Sequence, residues 1–141
     1  MTRGKDAPGA PEAPLVLGLD PGSRVAGFAL VRVRSGEPSE VELGAWKLPA
    51  SGTRAERLAR LAEHLETFVE RHRPDAAAVE GLFQHRNVRS ALALAESRGV
   101  LLASLGRSGI PVVEYPPATV KQTICGRGNA GKDEVRRALM L

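Results

Sequence analysis

The spacing of the apolar residues in this 141-residue sequence changes at Thr53. Before that point they form a continuous run in "LVLGL" and then alternate with polar residues in "VAGFALVRVR" and "EVELGAW", with "SGEP" as the turn between the last two. A short apolar run is typical of a strand that is buried on both faces, whereas alternation of apolar and polar residues is typical of a strand that is buried on one face. We therefore expect three consecutive antiparallel strands, the third with Val41, Leu43 and Ala45 on one face and Glu40, Glu42 and Gly44 on the other.

After Thr53 the apolar residues recur at the intervals of a helix. Thr53 and Glu56 have capping-box spacing, Pro74 ends the helix near Arg73, and one helical face carries Leu58, Leu61, Ala62, Leu65, Phe68 and Val69. A strand in "DAAAVEG", a helix in "NVRSALALAESRGVLLASLG" and a strand in "IPVVEY" follow. The order β-β-β-α-β-α-β-α predicts an α/β fold in which helices flank a mixed five-stranded sheet with right-handed crossovers.

Length and composition predict one basic domain in a reducing compartment. The first 14 residues, rich in Pro, Gly and Ala, are expected to form a flexible extension, and residues 15–141 the domain. The net charge of +4 favours an anionic partner. Cys125 is the only cysteine, which excludes an internal disulfide and a thiolate zinc cluster. Because there is no apolar run of about 18 residues and no signal-like start, we expect a cytoplasmic protein without a membrane segment.

Two carboxylates follow predicted strands in the same way. Asp20 ends "LVLGLD" within a Pro-Gly turn in which Gly22 is free to take positive φ, and Glu80 ends "DAAAVE" before Gly81. Open α/β sheets build their sites at the carboxyl ends of the strands. If the first and fourth strands are neighbours, the two acids meet at one edge, where a divalent cation such as Mg²⁺ would remove their repulsion. Otherwise each is simply a solvated residue at a strand end.

Three blocks of the sequence resemble the RuvC family of Holliday-junction resolvases. They are "GLDPGSRVAGFALV", "AVEGLFQHRNVRSALALAESRGV" and "EYPPATVKQTICGRGNAGKDEVRRAL", and they cover most of the chain from Leu15 onward. The resemblance implies a ribonuclease H-like fold and a homodimer that binds a four-way DNA junction. It also implies paired nicking with Mg²⁺ or Mn²⁺ held by acidic residues. It leaves open whether the branch-migration proteins RuvA and RuvB dock on this chain.

The resemblance assigns roles to five residues. Asp20 and Glu80 would be members of the catalytic metal cluster, which holds two cations about 4 Å apart on either side of the scissile phosphate. Lys121 and Lys132 match lysines near the DNA, and Phe83 matches an aromatic that contacts bases at the junction. Arg86 is a further candidate for a DNA contact. The alternatives remain that the lysines are ordinary surface residues and that Phe83 packs inward.

Small residues recur every fourth position along the helix that begins near Asn87. Ala91, Ala95, Gly99 and Ala103 form this stripe, with Leu92 and Leu102 beside it. A stripe of this kind permits close helix approach, either against the sheet or against another chain. The resemblance implies that this helix contributes to a homodimer interface.

Other functions compete with the nuclease interpretation. "GRGNAGKD" at residues 126–133 has the spacing of a phosphate-binding P-loop but carries Asp133 where Ser or Thr is needed. "DPGS" resembles the phosphate turn of actin-like ATPases, which need a second half-domain. The resembling family also places further acids on a C-terminal helix, and the sequence stops at "VRRALML". We therefore keep a junction-binding module without cleavage activity, lacking that helix, as the alternative.

Overall fold

The computed structural model describes residues 12–81 and 87–115. In chain order these residues form β1 (Leu15–Asp20), β2 (Val25–Arg34), β3 (Glu37–Lys47), α1 (Arg54–His72), β4 (Ala76–Glu80), α2 (Val88–Arg107) and β5 (Val112–Tyr115). The predicted order of five strands and two helices is confirmed for this part of the chain. The last predicted helix and residues 1–11 of the predicted extension lie outside the described residues.

The five strands form one mixed sheet in the order β3-β2-β1-β4-β5. β1 pairs antiparallel with β2, and β2 with β3, because short turns join them. β4 pairs parallel with β1 and with β5, since α1 and α2 carry the chain back between these strands. The predicted mixed α/β sheet is confirmed, and β1 and β4 are its two central parallel neighbours.

The turn between β2 and β3 is shorter than the sequence predicts. Ser35 and Gly36 have φ of 51° and 76°, the left-handed geometry of a two-residue hairpin turn. Glu37 and Pro38 already belong to β3, although the sequence predicts them as part of the turn. Proline is tolerated there because β3 is an edge strand, so one side of its backbone has no ladder to maintain.

The core-facing side of β3 carries Trp46. The ring of Phe28, on β2, lies over Gly44, and a Cβ on Gly44 would stand 2.7 Å from this ring. The Phe28 ring also stacks on the Trp46 ring, with 4.7 Å between the two ring centroids. The two rings thus pack at this end of the core, and the glycine at position 44 leaves space for the Phe28 ring. Val41 and Leu43 lie on the other side and are 48% and 58% exposed.

Helix α1 begins and ends as the sequence predicts. Thr53 is the N-cap, and both hydrogen bonds of the capping box with Glu56 are present, while Arg73 closes the last turn in a left-handed conformation. The buried residues of the helix are Leu61, Leu65, Phe68 and Val69. These belong to the predicted apolar face, so the prediction of α1 is confirmed.

Both helices contribute to a single core on one face of the sheet. Its largest fully buried apolar side chains are Leu17, Leu30, Leu61, Leu65, Val79, Leu101 and Leu105. Within the described ranges, neither helix is long and apolar enough to cross a membrane. Because strand side chains alternate, burial of this face turns every second residue of β1 and β4 to the opposite face.

Candidate active site

Asp20 is the last residue of β1 and is exposed to solvent. It pairs with Gly27 of β2 across a turn that contains Pro21 and Gly22. Gly22 is free to take positive φ, but its φ is not in the left-handed region. Glycine is needed there for space instead, since a Cβ on Gly22 would overlap the carbonyl oxygen of Val25. The tight turn leaves Asp20 at the open edge of the sheet.

Glu80 ends β4, the parallel neighbour of β1. Leu19 pairs with Val79, so Asp20 and Glu80 are the next residues at the same end of two adjacent strands. Leu19 and Val79 are buried in the core. By strand alternation the two acids therefore lie together on the face of the sheet opposite the helices. The adjacency on which the sequence hypothesis depended is present.

The sheet surface beside Asp20 is lined by small residues. A Cβ on Gly27 would stand 3.6 Å from the Cβ of Asp20 and 4.0 Å from its Oδ2, so glycine leaves this flank of the carboxylate open. Gly18, Ala29 and Ala78 form the row next to it on the same face and are half-buried. Among the described residues, small side chains therefore line the sheet surface beside Asp20.

The peptide that follows the Cα of Glu80 is held on both of its polar groups. The amide of Gly81 donates to the carbonyl of Tyr115 at 2.6 Å, and Arg98 Nε donates to the carbonyl of Glu80 at 3.3 Å. Arg98 also forms an ion pair with Glu114. Arg98 and Glu114 are not among the site residues that the sequence predicts. The signal was a charge within each of two largely apolar segments, "SRGVLL" and "PVVEY", since a charge in such a setting needs a partner.

The donors at this edge suit a hard divalent cation. Carboxylate oxygens are the ligands that Mg²⁺ and Mn²⁺ prefer in proteins. Among residues 12–81 and 87–115 no group of three or more His, Cys, Asp or Glu side chains is placed to hold one ion. The described residues thus fit a metal site with two protein ligands, Asp20 and Glu80.

The other predicted site residues cannot be placed. Phe83 and Arg86 follow β4, and Lys121 and Lys132 follow β5, and all four lie outside the described residues. The P-loop-like segment at residues 126–133 lies outside them as well. Their assigned roles stay predictions.

The sheet order, with acids at the carboxyl ends of its two central parallel strands, defines an α/β protein of the ribonuclease H-like class. The family model described as crossover junction endodeoxyribonuclease RuvC matches residues 16–141. The protein of that name from Sorangium cellulosum is 47% identical over 125 residues, which cover 88% of this chain and 69% of the relative. That from Chloroflexus aurantiacus is 42% identical over 125 residues, covering 89% and 76%.

Among solved structures, T. thermophilus RuvC in complex with a Holliday junction substrate superposes with a TM-score of 0.80. The identity is 30%, and the match covers 89% of this chain and 76% of that one. The chain therefore belongs to the RuvC family of crossover junction endodeoxyribonucleases, and the resemblance noted from its sequence is confirmed. Membership makes it a metal-dependent DNA endonuclease of recombination and repair.

Proposed function

We propose that this chain resolves four-way DNA junctions by paired nicking at a site in which Asp20 and Glu80 hold Mg²⁺ or Mn²⁺. The observation that carries the proposal is the placement of these two acids at the same end of adjacent parallel strands and on the same face. Two carboxylates at one sheet edge are suited to share a divalent cation, which would also offset their charge against a DNA phosphate. The T. thermophilus relative bound to a junction supports the choice of substrate.

The residues of the site act by holding their oxygen ligands in fixed positions. Asp20, at the end of β1, and Glu80, at the end of β4, present oxygen ligands from a rigid sheet edge, and the small residues beside Asp20 leave room for the phosphate. A divalent cation bound there would supply activation of water and stabilisation of the departing oxygen. Phe83, Arg86, Lys121 and Lys132 are proposed to contact the DNA, in keeping with the net charge of +4.

Cleavage is expected only with Mg²⁺ or Mn²⁺. A synthetic four-way junction labelled on each strand in turn should acquire two nicks in strands of like polarity, whereas EDTA should leave binding without cleavage. Gel-based cleavage and mobility-shift assays on the same samples measure both. Nicking in EDTA, or equal cleavage of a linear duplex, would contradict the proposal. Binding without cleavage under every metal would identify the alternative, a junction-binding module.

We further propose that the homodimer forms through α2. None of the small residues of the stripe is buried, and Ala91 and Ala95 are half-buried. Gly99 and Ala103 are exposed, and Val88 and Leu92, on the same side, are 73% and 60% exposed. A Cβ on Gly99 would meet no described atom within 4 Å apart from the neighbouring part of α2 itself. An apolar helix face with no partner in its own core is suited to a second copy of the chain.

A charge at the centre of this face should separate the subunits. Leu92→Glu is expected to raise the dimer dissociation constant at least about tenfold, because a carboxylate would be buried in an apolar interface. Sedimentation velocity over a concentration series measures the change. Val41→Glu places the same charge at an exposed apolar position of β3 and should leave the dimer intact. Unchanged sedimentation of Leu92→Glu would place the interface elsewhere.

A cytoplasmic setting and association with the branch-migration proteins RuvA and RuvB belong to the same proposal. Both rest on membership of the RuvC family alone.

A further inference from the structure

The peptide group between Glu80 and Gly81 lies at the carboxyl end of β4 and is hydrogen-bonded to neighbouring elements. Its amide is held by β5 through the carbonyl of Tyr115, and its carbonyl accepts from Arg98 of α2. β5 has four residues and lies at one of the two edges of the described sheet, so its backbone alone is a weak support. The orientation of this peptide determines the path of the chain at Glu80 and, with it, the direction of the Glu80 side chain.

Arg98 is itself held in place by a second contact. Its guanidinium forms an ion pair with Glu114, which lies opposite Val79 in the β4–β5 register, one residue before Glu80. The side chain of Arg98 is 18% exposed and that of Glu114 is 51% exposed. A planar guanidinium can donate to a carbonyl and a carboxylate at the same time, which a lysine ammonium does with less fixed geometry. The pair thus ties α2 to the ends of both strands.

We propose that Arg98 is a positioning residue for the active site. By holding the carbonyl of Glu80 while paired with Glu114, it directs the Glu80 carboxylate towards Asp20. Arg98 approaches the strand end from the side of the helices, whereas the two carboxylates lie on the opposite face, so its effect passes through the backbone of Glu80. The inference rests on the proposed role of Glu80 as a metal ligand.

Loss of Arg98 should weaken metal binding more than it weakens folding or junction binding. In Arg98→Met, the Mg²⁺ concentration for half-maximal cleavage is expected to rise about 10- to 100-fold, the range seen when a group that orients a metal ligand is removed. The rate at saturating Mg²⁺ should stay within about threefold of the parent, since the ligands themselves remain. Binding of Mn²⁺ to the protein without DNA, followed by electron paramagnetic resonance, should weaken in parallel.

The metal-free protein offers a second readout. Hydrogen exchange at the amide of Gly81 should accelerate about tenfold or more in Arg98→Met, because one of the two contacts that hold this peptide is gone. A role in general stability would instead lower the melting temperature and the active fraction, and would leave the half-saturating Mg²⁺ concentration unchanged.

Matched variants separate these roles. Arg107→Met makes the same change on the same helix, at an exposed arginine whose contact is with Glu66 at 3.8 Å, and should alter neither readout. Arg98→Lys should restore part of the metal affinity. Glu114→Gln changes a half-exposed residue that should tolerate the substitution, and should shift the Mg²⁺ dependence in the same direction but less. Because both residues act through one contact, the double variant should be no worse than Arg98→Met alone.

The outcomes distinguish this inference from the proposed function. If Glu80→Gln abolishes Mn²⁺ binding while Arg98→Met and Glu114→Gln bind Mn²⁺ like the parent, the positioning role is wrong and the metal site stands. If Glu80→Gln binds Mn²⁺ normally, the metal site is wrong. In that case accelerated exchange at Gly81 in Arg98→Met would still show that Arg98 holds the strand end, and unchanged exchange would overturn that as well.

Discussion

Replacing Asp20 by Asn or Glu80 by Gln is expected to abolish junction cleavage while leaving junction binding in EDTA intact or slightly tighter. Each change keeps the shape of the side chain and removes the negative charge that holds a cation. Loss of a group that merely orients a metal ligand lowers metal affinity or activity about 10- to 100-fold. Loss of a ligand itself should therefore lower the cleavage rate more than about 100-fold. Removal of a negative charge near the DNA backbone also lowers repulsion, which accounts for the binding expected.

The comparison needs a carboxylate that lies away from the site. Glu40 is an exposed acid of β3, two strands from Asp20, and Glu40→Gln should cleave like the parent. Single-turnover cleavage at saturating protein separates the rate from the affinity, and mobility shifts in EDTA give the affinity. An Asp20→Asn or Glu80→Gln variant that nicks within about threefold of the parent rate would overturn the assignment of the metal ligands.

Leu17→Ala is expected to produce a large loss of stability. Leu17 is fully buried in β1, between Leu30 of β2 and Ala77 of β4, and its side chain lies under the helices. Truncation of a buried leucine leaves a cavity that a sheet with strands on both sides cannot close, and costs about 2–5 kcal/mol. Urea denaturation at one fixed protein concentration measures the free energy of unfolding.

Leu43 provides the matched control for this substitution. It is a leucine of the same sheet, 58% exposed on the opposite face, and Leu43→Ala should change stability by less than about 0.5 kcal/mol. Because Leu17 faces away from Asp20, the folded fraction of Leu17→Ala should still cleave junctions. A loss of less than about 1 kcal/mol for Leu17→Ala would show that the core relaxes around the gap.

The local structure of the chain was readable from its sequence. The capping box of Thr53 and Glu56, the break at Pro74 and the change of apolar spacing predicted the elements and most of their limits, because each depends on residues a few positions apart. The hairpin at Ser35 and Gly36 was misjudged. A proline in a sequence indicates a turn, because it is tolerated in a strand mainly when that strand lies at the edge of a sheet, and strand order is known only from the fold.

The candidate site was predictable in part. The sequence alone indicated two acids, each at the end of a strand, and the family blocks around them. Only the tertiary structure decided that β1 and β4 are neighbours with Leu19 opposite Val79, because strand order depends on how the crossovers pack. The contact of Arg98 with Glu80 joins residues 18 positions apart, and its ion pair with Glu114 joins α2 to an edge strand. Such contacts leave no periodic pattern in a sequence, since they arise only when separate elements come together in the fold.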